Sequence, residues 1–161
     1  MPNLDFDMPQ NQSSAIKVIG IGGGGSNAVN YMYHKGIKGV DFVVCNTDQQ
    51  ALDDSPVPTK IQLGVSLTEG LGAGAWPVRG RMAAEENIND VIEVLECNTK
   101  MVFLNAGMGG GTGTGAAPVI AKAAKDLDIL TVAIVTIPFV FEGELRMSQA
   151  KEGIEEIKKY V

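Results

Sequence analysis

Two stretches of this chain gather backbone N–H groups rather than reactive side chains. They are Gly22-Gly23-Gly24-Gly25-Ser26-Asn27 and Gly109-Gly110-Gly111-Thr112-Gly113-Thr114-Gly115. A diphosphate or triphosphate needs many donors in a small space, and glycine lets the backbone approach an oxygen that a side chain would hold away. Each stretch follows an apolar run and opens a helical pattern, so the positive end of a helix dipole stands behind it. Together the two could cradle a phosphate chain. Twenty glycines among 161 residues is a high count for a soluble domain, and clusters of a residue so costly to order mark backbone with a task.

Other chemistries fit less well. Gly20-Ile21-Gly22-Gly23-Gly24-Gly25 matches the dinucleotide fingerprint, but the same string also describes a tight strand-to-helix turn. An NAD-binding Rossmann domain needs an acid at the end of its second strand; here Asp41 opens that strand and Asn46 closes it. No lysine directly follows a glycine, which excludes a Walker-type phosphate loop. No Ser-His or Cys-His arrangement suggests a nucleophile, and the single histidine, His34, stands apart from any Cys or carboxylate cluster. Cys45 and Cys97 each end an apolar segment and are expected to be free, buried thiols.

Charge and hydropathy narrow the partners. The net charge is −6 and the 13 basic residues are scattered, so no nucleic-acid interface is expected. The longest apolar run, Ile129 to Phe141, is broken by Thr131, Thr136 and Pro138, and no membrane insertion is expected. Residues 1–14 carry Asp5 and Asp7 without a basic and apolar leader pattern, and read as a disordered tail ahead of a domain over residues 15–161.

The elements around the glycine loops alternate. A β-branched run, Ile16 to Ile21, leads into the first loop, and Ser26 is placed to cap a helix through about Lys35. Val40 to Cys45 reads as a second strand, followed by Asn46-Thr47-Asp48, and a weak strand lies near Ile61 to Leu63. After a further glycine loop, Glu69 to Ala75, Pro77 opens one helix in which Ile88, Val91, Ile92 and Leu95 form an apolar stripe. Met101 to Leu104 is a strand before the second loop and an Ala-rich helix. Ile129 to Val135 reads as a strand buried on both faces, and a last helix begins near Gly143. The order predicts an α/β fold of three layers, a Rossmann-like, mostly parallel sheet with helices on both faces. Ligands of such sheets sit beyond the carboxyl ends of the strands, where all the glycine loops lie.

Five segments in order, IGGGGSNAVN, NTD, EGLGAGA, GGGTGTG and PFVFEGELR, resemble the FtsZ family of bacterial tubulin-like division GTPases from about Ile16 to Val161. The resemblance implies a GTP/GDP site with Mg²⁺ held mainly by the nucleotide phosphates. It assigns phosphate contacts to Gly23, Gly24, Gly25, Ser26 and Asn27, and to Gly110, Gly111, Thr112, Gly113 and Thr114 on the other side. It makes Ala73, Gly74 and Ala75 the sensor of the γ-phosphate, and puts Asn46 and Asp48 near the phosphates and Mg²⁺. Glu142 and Arg146 match the pair that meets the ribose and nearby groups, although spacing alone favours an i, i+4 surface pair at a helix start.

The resemblance further implies a cytoplasmic protein of the division septum that stacks head to tail with itself, with division-ring proteins binding C-terminal parts not found here. In the family, base selection and the catalytic acidic loop follow this region, so the 161 residues read as a fragment that binds phosphates without turning over GTP alone. A non-hydrolysing fragment that caps filaments is the other reading of the same shortfall. Trp76 stands where the family has Asn after Gly-Ala-Gly-Ala, which bears on the geometry of the sensor loop.

Overall fold

The computed structural model describes residues 13–161, so the expected tail lies outside the described residues except for Ser13 and Ser14. Five strands form one wholly parallel sheet in the order β3-β2-β1-β4-β5. They are β1 (Ile16–Ile21), β2 (Asp41–Asn46), β3 (Thr59–Gln62), β4 (Met101–Gly107) and β5 (Leu130–Thr136). The helices are α1 (Gly22–His34), α2 (Gln49–Asp53), α3 (Val65–Thr68), α4 (Pro77–Glu86), α5 (Ile88–Glu96), α6 (Thr112–Asp126) and α7 (Glu144–Ile157).

Side-chain alternation along the strands divides the interior in two. Ile19, Ile21, Val43, Cys45, Val102, Leu104 and Ala106 face a large core shared with α4, α5, α6 and α7. Val18, Phe42 and Val44 face a smaller one with Val29 of α1 and Leu52 of α2. Three layers follow, as the sequence pattern requires.

Several local expectations change. Ser26 does not cap α1, because the helix begins at Gly22 with Ile21 as its N-cap residue, and Ser26 is buried inside it. The first glycine loop is therefore mostly helix already. The single helix expected after Pro77 is two, broken at Asn87, whose amide donates to Asp90 at 3.0 Å. Asn readily bonds its own surroundings in competition with a helix. β5 is the sheet edge among the described residues, and Leu130 and Ile134 are more than half exposed, so its apolar character does not reflect burial on both faces. Cys45 is buried, and desolvation pushes its thiol up to about 12, whereas Cys97 is exposed beyond the end of α5.

Candidate functional site

The order of strands fixes where a ligand fits. From β1 the chain moves outward through β2 to β3, then returns to the other side of β1 for β4 and β5. β1 and β4 are neighbours whose following helices, α1 and α6, leave toward opposite faces, and the crevice between them is the topological switch point of an open parallel sheet.

Both glycine stretches lie at that crevice and touch. A β-carbon on Gly22 (φ +71°) would come within 3.0 Å of the Gly113 nitrogen and 3.3 Å of Thr112 Cβ; one on Gly24 would be 3.4 Å from the Gly107 Cα. Gly25 packs so closely on β4 that a β-carbon would stand 2.0 Å from the Asn105 carbonyl oxygen. Close approach thus explains Gly25. It does not explain Gly23 or Gly110, where a β-carbon would meet nothing. Gly23 and Gly24 are exposed at the first turn of α1, and neither α1 nor α6 has a side-chain cap. The first N–H groups of a helix lack intrahelical acceptors, so two sets of free donors and two dipole ends converge.

The remaining loops close around this point. Asn46 is buried and its Oδ1 accepts from the Thr47 N–H at 2.8 Å and the Asp48 N–H at 3.3 Å, holding the turn after β2. Asp48 Oδ1 accepts from the Ala51 N–H at 3.2 Å and caps α2, with its carboxylate at the rim. The loop from Glu69 to Ala75 is tied to that turn by Gln49 N–H to Gly70 O at 3.0 Å and Gly72 N–H to Thr47 O at 3.2 Å. On its far side, a β-carbon on Gly111 would lie 2.4 Å from the Gly74 carbonyl oxygen, and Gln149 Nε2 of α7 donates to the Ala75 carbonyl at 3.2 Å. Ala73 is buried while Gly74 and Ala75 are exposed.

Trp76 directly follows the loop. Its indole is 71% exposed, while its backbone caps α4 and packs against Gly111. Thr114 Oγ1 accepts from the Gly109 N–H at 2.8 Å, and the space a Gly109 side chain would take is filled by Pro138 Cγ and the Arg146 carbonyl. Arg146 and Glu142 form an i, i+4 ion pair at 3.5 Å beside this loop, with Glu142 Oε1 also accepting from the Phe139 N–H at 3.2 Å. The structure thus gives them the surface-pair geometry at the margin of the same crevice.

Two features here go beyond what the sequence assigned to these residues. Gly22 has the left-handed conformation that lets α1 start against α6. Thr47, quoted only within the NTD string, is 1% exposed and its Oγ1 lies 2.7 Å from Thr112 Oγ1. Ser26, by contrast, is buried with its backbone close to Gly20 of β1, and among the described residues its buried hydroxyl has no hydrogen-bond partner.

Comparison with known proteins agrees with this geometry. The Tubulin/FtsZ family, GTPase domain, matches residues 15–161. The chain is 59% identical over 150 residues to a cell division protein FtsZ of Coxiella burnetii, covering 93% of this chain and 39% of that protein. It is 58% identical over 147 residues to one of Porphyromonas gingivalis, covering 91% and 32%. Among solved structures, an empty FtsZ dimer from M. jannaschii superposes with a TM-score of 0.89 at 43% identity, over 95% of this chain and 44% of that one. The GTPgS-bound protofilament of CetZ2 from Haloferax volcanii gives 0.82 at 26% identity, over 91% and 46%. The chain therefore spans less than half the length of these relatives.

Proposed function

From the premise that the chain belongs to the Tubulin/FtsZ GTPase-domain family, we propose that it supplies the phosphate-binding half of a GTP/GDP site in a cytoplasmic, filament-forming division protein. The observation that carries this reading is the meeting of two uncapped helix N-termini, α1 and α6, at the switch point between β1 and β4. Backbone donors of Gly23, Gly24, Gly25, Gly110, Gly111 and Gly113 hold phosphate oxygens, with the Thr112 hydroxyl beside them. Asn27 lies with the phosphate contacts, Ala73, Gly74 and Ala75 border the terminal phosphate, and Glu142 and Arg146 border the ribose.

The donor set suits an ion carried in by its nucleotide. Among the described residues no group of three or more His, Cys, Asp or Glu side chains could hold a metal, and the Asp48 carboxylate at the rim is engaged in a cap. Mg²⁺ would be held mainly by phosphate oxygens, with Asp48 near it, and would offset their charge. The dimer and protofilament among the solved neighbours favour assembly of the longer relatives through self-contact. Hydrolysis accompanies head-to-tail stacking.

Calorimetric titration with GTP, GDP and ATP in the presence of Mg²⁺, with thermal unfolding alongside, tests the reading. Saturable heat with GTP and GDP and a raised melting temperature is expected. A folded chain that gives neither heat nor a thermal shift with any of the three overturns it.

A further inference from the structure

Thr47 is enclosed, yet every polar atom it owns is used, and each reaches a different part of the crevice. Its N–H donates to Asn46 Oδ1 at 2.8 Å. Its carbonyl accepts from the Gly72 N–H and from Thr68 Oγ1, both at 3.2 Å, which ties it to the Glu69 to Ala75 loop and to the end of α3 just before that loop. Its hydroxyl meets that of Thr112, the first residue of α6, at 2.7 Å. No other residue among those described joins the turn after β2, the sensor loop and the start of α6 in this way.

The hydroxyl contact has a direction. One proton lies between the two oxygens, and the other must point elsewhere. Thr47 is 1% exposed, and among the described residues its hydroxyl has no partner besides Thr112. Thr112 is only half-buried and borders the crevice. Because a buried hydroxyl proton without an acceptor is costly, Thr47 gives its proton to Thr112, and the proton of Thr112 is left for an acceptor in the crevice. A phosphate oxygen is an acceptor only. Successive hydrogen bonds polarise one another, so donation from Thr47 makes Thr112 a better donor to that anion.

We propose that Thr47 is a positioning residue of the nucleotide site: its hydroxyl aims the Thr112 proton at a phosphate oxygen, and its carbonyl holds the sensor loop at the same place. This rests on the phosphate-binding reading above. Its action runs through Thr112, which distinguishes it from a general packing role.

The test measures affinity for GTP with Mg²⁺, and for inorganic triphosphate, in Thr47→Val, Thr47→Ser, Thr112→Val and the Thr47→Val/Thr112→Val double variant. Thr47→Val, which keeps the shape and removes the hydroxyl, should weaken both ligands about tenfold, the range of one charge-assisted hydrogen bond. Thr47→Ser should bind within about threefold of the unsubstituted chain. The double variant should bind no more weakly than Thr112→Val alone, because coupled sites are not additive. Unchanged affinity in Thr47→Val, or losses that add in the double variant, overturns the proposal. Should Thr47→Val not fold, Thr47→Cys keeps the volume with a weak S–H donor, and unchanged affinity there overturns it equally. If the unsubstituted chain binds neither ligand, the phosphate reading fails and takes this proposal with it. If it binds and the variants match it, only the role of Thr47 fails.

Discussion

The two ends of the sheet solve the same problem in opposite ways. Where the strands begin, polar groups are turned on one another. The buried Lys17 ammonium donates to Ser13 Oγ and the Cys97 carbonyl at 2.9 Å, to the Ser14 carbonyl at 3.3 Å and to Asp41 at 3.4 Å. The Asp41 carboxylate also accepts from the Ser14 N–H at 2.9 Å and Ser13 Oγ at 3.1 Å. Charge, hydroxyl and carbonyl close a knot that joins β1, β2, the end of α5 and the residues leading into β1. Where the strands end, the donors are backbone N–H groups at the starts of α1 and α6, and no side chain closes them. A buried charge has to be paired to be tolerated, so the lower end is satisfied internally, while uncapped helix starts leave the upper end ready for an anion.

The sharpest way to break this contrast lies within the upper end itself. Gly25 and Gly23 are two residues apart in α1, but a side chain at Gly25 would collide with the Asn105 carbonyl and one at Gly23 would enter open space. Gly25→Ala should cost about 3 kcal/mol, since backbone on both sides must shift. Gly23→Ala should leave the chain as stable, or raise stability by about 0.5–1 kcal/mol through helix propensity. Urea unfolding of both variants decides this; equal losses would mean that the first loop has one structural task rather than two.

A smaller effect is expected at the lower end. Asp41→Asn removes the charge facing Lys17 but keeps a hydrogen-bonding group. Asp41 is 41% exposed, so the penalty falls well below that of a fully buried pair, to about 1–2 kcal/mol. A six-residue strand separates the knot from the glycine loops by about 20 Å. Melting temperature should fall while affinity for GTP stays within about twofold. A loss of affinity as large as the loss of stability would show that the two ends are coupled through β1.

How far each end could be read from sequence follows from the same difference. The upper loops were legible because glycine clusters serve backbone chemistry, and Gly109 to Gly115 has few other uses. Thr47 was passed over because a threonine beside an Asn and an Asp looks like ordinary turn chemistry, and only the fold brings Thr112 to its hydroxyl. The Lys17 knot was invisible for a similar reason, since its partners come from Ser13, Asp41 and Cys97, far apart along the chain. The apolar run of β5 suggested burial on both faces, but hydrophobic patterning does not tell an edge strand from a central one. Ser26 read as a helix cap because serine is a preferred N-cap residue and this one follows four glycines, whereas α1 already begins at Gly22, with Gly25 packed on Gly20 and Gly24 against Gly107.

The smallest effect concerns the one short helix of the upper end whose donors a distant carboxylate does close. Glu86, at the end of α4, accepts from the Ser66 N–H through Oε1 at 2.8 Å and from the Leu67 N–H through Oε2 at 3.1 Å, capping α3 just before the Glu69 to Ala75 loop. The bonds to Ser66, more than that to Leu67, hold this carboxyl below its ordinary value of 4.5. A carboxyl lowered in the folded chain adds stability that is present above the unfolded value and is lost as pH falls through the folded one. Near pH 7, Glu86→Gln should therefore melt slightly lower than the unsubstituted chain, and the gap should close as pH drops below about 4. Melting curves from pH 7 down to pH 3 measure both. A gap independent of pH would mean that Glu86 acts by shape alone, and that α3 keeps its place without a charged cap.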